Sequence, residues 1–171
     1  MAERKWEFTG ETKVYFGITL KRIRAVVEFK PKCGIFIHKG ELGGWIEKES
    51  NMYGDAWVSG NAKVYGDAEV YDNAWVYDNA EVSGNAWVYV NAKVSGNAKV
   101  KSSGDYCVYK NTWSSLRWFT YTKSNKMWSV GCFHGTGAEL IAKAYNDSEK
   151  SGKCYEAIVK AQEAIEKAME V

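Results

Sequence analysis

Between Ala56 and Val100 the chain places Ala-x-Val every six residues, eight times, from Ala56-Trp57-Val58 to Ala98-Lys99-Val100. A fixed short period of this kind marks a parallel β-solenoid, in which each step supplies one short strand and one corner. Alternation within a strand sends Ala and Val inward and the residue between them outward. Alanine is small enough for a tight interior, and valine suits a strand through its branched Cβ. Pairs such as Gly60-Asn61, Gly66-Asp67, Asp72-Asn73, Asp78-Asn79, Gly84-Asn85 and Gly96-Asn97 supply the corners. Glycine, asparagine and aspartate accept positive φ and bond locally to the backbone.

Three steps to a coil place residues eighteen apart above one another. Trp57 then stacks under Trp75 and Lys93, Glu69 under Trp87, and Lys63, Glu81 and Lys99 form a column of alternating sign. Alternating sign avoids like-charge repulsion between stacked strands, which favours this count over others. The stack reaches only about 14 Å at a strand spacing of about 4.8 Å, so it needs caps or a partner subunit.

The flanks lose the period. Lys5–Phe8, Lys13–Phe16 and Ile18–Phe29 read as a β-hairpin or small sheet broken at Gly17. Gly40-Glu41-Leu42-Gly43-Gly44-Trp45-Ile46 reads as a glycine-rich bend capping the first coil. After Ser102-Ser103-Gly104-Asp105, three strands are expected near 106–109, 115–122 and 126–133, with Lys123-Ser124-Asn125 as a hairpin loop. Thr136-Gly137-Ala138-Glu139 is a capping box that opens a helix through about Tyr145. A last helix from about Lys153 to Met169 presents Cys154, Ile158, Ala161, Ile165 and Ala168 as its apolar stripe. The expected organisation is a hairpin and cap over 1–49, the repeat over 50–103, and a small sheet with two helices over 104–171. The fold class is therefore mainly β with C-terminal α.

The net charge of +2 gives no reason to expect duplex DNA as a partner. Residues 101–136, however, carry five basic groups against one acidic, among dense aromatics. Cys33, Cys107, Cys132 and Cys154 show no CxxC spacing, and no tight ligand cluster argues for a metal. The charged run Met1-Ala2-Glu3-Arg4-Lys5 has no signal-peptide character, and no long apolar stretch spans a membrane. A cytoplasmic protein with reduced thiols and no cofactor is expected.

The Ala-x-Val-x-Gly-Asn/Asp steps resemble hexapeptide-repeat proteins, which implies a left-handed parallel β-helix and a homo-oligomer, usually a trimer. The stretch Gly40 to Glu47, the repeats, the Val130–Phe133 strand and the terminal helices are similar to small phage and prophage proteins of this kind. The wider family includes acyltransferases, whose histidine general base stands on or beside a coil. A base needs hydrogen-bond reach to its acceptor hydroxyl. Here His38 precedes the repeats and His134 follows them, so the usual catalytic place is empty. Cys132 and His134, two apart in an expected strand, would share a face, but no nearby carboxylate orients them.

Two groups of candidate residues remain. Trp57, Trp75 and Trp87 point outward from the repeat and are candidates for a subunit interface. Trp113, Arg117, Trp118, Tyr121, Lys123, Lys126, Trp128 and His134 combine ring faces with cations, a mixture suited to nucleotide binding. Half or more of the aromatics over 106–133 must instead form the core of the sheet, because alternation buries one face. The expected function is a non-catalytic, oligomeric phage-type binding protein. It would counter host defence by sequestering a nucleotide-like signal or a host protein. A self-assembling scaffold and an acyltransferase are the alternatives.

Overall fold

A computed structural model describes residues 4–31 and 34–170. The repeat forms a β-solenoid of about three turns. Its eight two-residue strands are β4 (Trp57–Val58), β5 (Lys63–Val64), β6 (Glu69–Val70), β7 (Trp75–Val76), β8 (Glu81–Val82), β9 (Trp87–Val88), β10 (Lys93–Val94) and β11 (Lys99–Val100). Parallel pairing joins β4 to β7 to β10, β5 to β8 to β11, and β6 to β9. The registers Trp57↔Trp75↔Lys93, Lys63↔Glu81↔Lys99 and Glu69↔Trp87 are those the eighteen-residue period predicts. Every Ala and Val of the eight steps is buried, forming one continuous core.

The N-terminal strands extend one face of this solenoid. The strands β1 (Trp6–Tyr15) and β2 (Ile18–Ala25) pair antiparallel across a tight turn at Phe16 and Gly17, both with positive φ. The strand β3 (Leu42–Ile46) pairs antiparallel with β2 and parallel with β5, giving the order β1-β2-β3-β5-β8-β11. The glycine-rich bend is therefore a rung of the solenoid face rather than a loop over its end. Its glycines are required by close approach: a Cβ on Gly43 would lie 2.5 Å from Ile23, and one on Gly44 would lie 2.8 Å from the Ala62 carbonyl. Phe29 and Ile37, bridged to each other, complete the cover on this side. Cys33 lies outside the described residues.

The C-terminal sheet has order β12-β13-β14-β15, with β12 at Tyr106–Lys110, β13 at Trp118–Thr122, β14 at Met127–Val130 and β15 at Phe133–Gly135. The expected third strand is thus two, folded back at Gly131, whose φ is 60°. The helix α1 (Gly137–Asp147) opens on the Thr136–Glu139 capping box. The helix α2 (Glu149–Met169) begins about a turn earlier than the sequence suggests, with the Ser148 side chain accepting from the Ser151 N–H. Its buried residues are Gly152, Tyr155, Val159 and Gln162, not the predicted Cys154–Ala168 stripe, of which Ala161, Ile165 and Ala168 are exposed. The helix is rotated because Tyr109 and Tyr121 donate their hydroxyls to Gln162 and Glu166, so polar side chains lie inside the contact.

The sheet also closes the end of the solenoid. Inside the stack, the N–H between each Ala and Val donates to an alanine carbonyl one coil on, as Trp57 does to Ala74 and Glu81 to Ala98. The last coil has no further rung. There the equivalent N–H groups of Trp87, Lys93 and Lys99 donate instead to the hydroxyls of Ser103, Thr120 and Ser124 at 3.1, 2.9 and 2.7 Å. One hydroxyl thus satisfies each of the three faces and occupies the edge on which another strand would pair. Thr120 is buried, so Thr120→Val keeps its shape and orphans the Lys93 N–H. A loss of about 1–2 kcal/mol in urea unfolding is expected.

Candidate ligand groove at the last solenoid corner

Alternation in the C-terminal sheet divides its residues between two environments. Phe119 and Tyr121 of β13, and Trp128 and Val130 of β14, face α1 and α2 in a second core. Thr120 and Ser129 face the solenoid. The predicted site residues are split by this division. Trp113 packs on Phe119 and Tyr155, and Trp128 packs on Tyr121 and Phe119. Trp113 and Trp128 are therefore packing residues, as is Tyr121, whose phenol burial and Glu166 hold well above its ordinary pKa.

Lys126 lines a cleft of about 450 Å³ on the helix side of the sheet, where Glu163, Glu166 and Glu170 form much of the wall. Those carboxylates repel an anion, so Lys126 does not join Arg117 in one anion site. Lys123 sits in the β13–β14 turn, its N–H bonded to the Asp105 carbonyl. The His134 ring places Nδ1 2.9 Å from Ser95 Oγ and 3.1 Å from Ser129 Oγ, joining the sheet to the last coil. Cys132 lies in the turn before β15 and does not share a strand face with His134. His38 is exposed, its ring edge-on to Phe36.

The three repeat tryptophans also part company. Trp57 is covered by the chain's own N-terminal segment, with Phe29 edge-on at 5.8 Å, so it is not available to a subunit interface. Trp75 is half-buried, stacked on Tyr77 with centroids 3.9 Å apart and donating to Ser59. Trp87 is exposed.

Arg117 and Trp118 do come together, at the corner that follows β9. Trp118 lines two adjoining clefts, together with Tyr89 and Val90 in one and Asn91 and Lys93 in the other. One, of about 290 Å³, is lined by Asn91, Lys93, Arg117 and Trp118. The other, of about 320 Å³, is lined by Tyr89, Val90, Tyr106, Val108 and Trp118. No acidic side chain lines either one among the described residues. Lys110, paired with Trp118 across the sheet, holds its ammonium 5.4 Å from that ring's centroid. Lys93 donates to the Gly131 carbonyl at 2.9 Å. The Asn91 Oδ1 is buried and accepts no hydrogen bond among the described residues.

Tyr89 and Val90 were not among the residues singled out from the sequence. Tyr53, Tyr71 and Tyr89 form a column of rings with centroids 4.9 and 5.1 Å apart, tilted by only 6° and 5°. Their spacing of eighteen is the coil period, so the signal was present once three steps made a coil. Val90 occupies the corner position where Gly54, Gly60, Gly66, Asp72, Asp78, Gly84 and Gly96 stand, and its φ is 63°. A β-branched residue there is a backbone outlier, held by the surrounding stack at a cost on the order of 1–3 kcal/mol.

No protein-family model matches this chain, and no curated protein matches it either. The described residues contain no group of His, Cys, Asp and Glu able to hold a metal ion. No helix among them is long and apolar enough to cross a membrane.

Proposed function

We propose that the chain is a non-catalytic binding protein that captures a nucleotide-like anion in the groove beside Trp118. The observation that carries this reading is the meeting of Arg117, Lys93 and Trp118 in one concavity free of acidic side chains. A guanidinium pairs with phosphate through charge-assisted hydrogen bonds, and an indole face stacks on a base. His134 is exposed and engages the buried hydroxyls of Ser95 and Ser129 through its Nδ1, so the ring serves to join the sheet to the last coil.

The hydroxyl cap on the last coil counts against end-to-end stacking of copies, the route by which a solenoid would become a filament. The resemblance to hexapeptide-repeat proteins of phages and prophages supports a trimer acting against host defence by sequestering a nucleotide-like signal. Of the three repeat tryptophans, the exposed Trp87 is the most accessible for a contact between subunits.

The test is mass spectrometry of molecules released by heat, after incubation with lysate from phage-infected bacteria. The expected result is a phosphorylated, base-bearing compound from the native protein, and about tenfold less of it from Arg117→Glu. A folded protein that releases nothing overturns the reading.

A further inference from the structure

We infer that the groove binds a nucleoside phosphate whose base stacks on the open face of Tyr89 as the fourth ring of the tyrosine column. This rests on the proposed binding role and specifies the ligand and its pose. The column Tyr53–Tyr71–Tyr89 has a near-constant ring spacing and near-parallel planes. Continuing it by one coil period would require a residue at position 107. The solenoid strands end at Val100, however, and Cys107 belongs to β12. Tyr89 stacks on Tyr71 and, as the last ring of the column, lines the cleft that Trp118, Val108 and Tyr106 also line. Another planar ring fits the end of such a column, because stacking on an aromatic face tolerates any base.

Three further observations point to the same occupant. Val90 lines this cleft, and it holds a conformation that glycine or aspartate takes at the other corners. The chain thus keeps an apolar side chain at the floor of the groove against the backbone preference. Asn91 lines the adjoining cleft, and its side-chain oxygen is buried without a partner among the described residues, so a small shift of this side chain would let a ligand's amino or hydroxyl group satisfy it. Arg117 lines that same cleft, and Lys110 holds its ammonium beside the Trp118 ring. These cations take the phosphate while the base lies between the Tyr89 and Trp118 rings. The arrangement separates a planar apolar half from a cationic half, as a nucleoside phosphate itself does.

The experiment titrates the full chain with adenosine and guanosine monophosphate, followed by calorimetry and by quenching of tryptophan fluorescence. Ribose phosphate serves as the base-free control. The nucleotides are expected to bind at least about tenfold tighter than ribose phosphate. Tyr89→Ala and Tyr89→Leu should each remove about that factor for the nucleotides and leave ribose phosphate unchanged; the leucine variant keeps bulk without a π face. Val90→Gly should raise the Tm and weaken nucleotide binding. Equal binding of ribose phosphate and nucleotide, or unaltered nucleotide affinity in both folded Tyr89 variants, overturns the stacked pose and leaves the anion-binding role standing. Failure of nucleotides and ribose phosphate alike to bind at millimolar concentration overturns both.

Discussion

Trp57→Ala is expected to cost about 3–5 kcal/mol, whereas Trp87→Ala is expected to change stability by less than about 0.5 kcal/mol. The two residues hold the same place in the repeat, between the Ala and Val of a step. Trp57 is 0% exposed and Trp87 is 52% exposed. The difference comes from outside the repeat. Phe29, bridged to Ile37, packs edge-on against the Trp57 indole, so its removal opens a cavity between the solenoid and the N-terminal segment. Among the described residues none covers Trp87 in that way, and its loss opens no cavity. Urea unfolding of the two variants, with m compared to detect a change in the unfolding unit, measures both. Equal costs would mean that the N-terminal cover contributes nothing to the Trp57 environment.

Glu81→Lys carries the second large effect. In an isolated charge column an exposed reversal would cost no more than about 1 kcal/mol. Glu81 is not in that situation, because its side chain is only 14% exposed. It accepts from the Tyr15 hydroxyl at 2.6 Å and the Tyr65 hydroxyl at 3.5 Å, with Lys63 Nζ at 3.7 Å. A lysine there would orphan two hydroxyls and place two largely buried cations in contact, at a cost of about 3 kcal/mol or more.

The Tyr15 phenol records the same contact: its bond to the Glu81 carboxylate pushes its pKa up to about 12. A raised phenol pKa adds stability that is complete below about pH 10 and is lost as pH rises towards 12. Native protein should therefore lose thermal stability over that alkaline window, and Glu81→Lys should lose less of it. Lys99, the next member of the column, is exposed, and Lys99→Ala should leave stability within about 0.5 kcal/mol.

Much of the fold was legible because its signal is periodic. A six-residue step with Ala and Val inside, taken three to a coil, determines which residues stack on which; Lys63↔Glu81↔Lys99 is the clearest case. The hairpin turn at Phe16-Gly17 and the Thr136 capping box were equally readable, because each is a local backbone requirement met by residues within a few positions. The candidate site was less so. Arg117 and Trp118 come together in one cleft, whereas Trp113, Tyr121 and Trp128 belong to the helix-side core, and Lys126 faces α2 carboxylates. Alternation says that one face of such a sheet is buried. It does not say which face meets the helices and which meets the solenoid.

The sequence by itself determined the solenoid, its three-step coil, its registers and the positions where the period stops. All of these follow from contacts between residues at one fixed separation. Only the tertiary structure decided that Trp57 is core and Trp87 surface, and that β3 is a rung. It alone showed that three hydroxyls finish the last coil and that the last ring of the tyrosine column shares a cleft with Trp118. Each of those depends on where a flanking segment returns to the stack. Such a return is set by the fit of whole surfaces, for which no short spacing in the chain carries a signal.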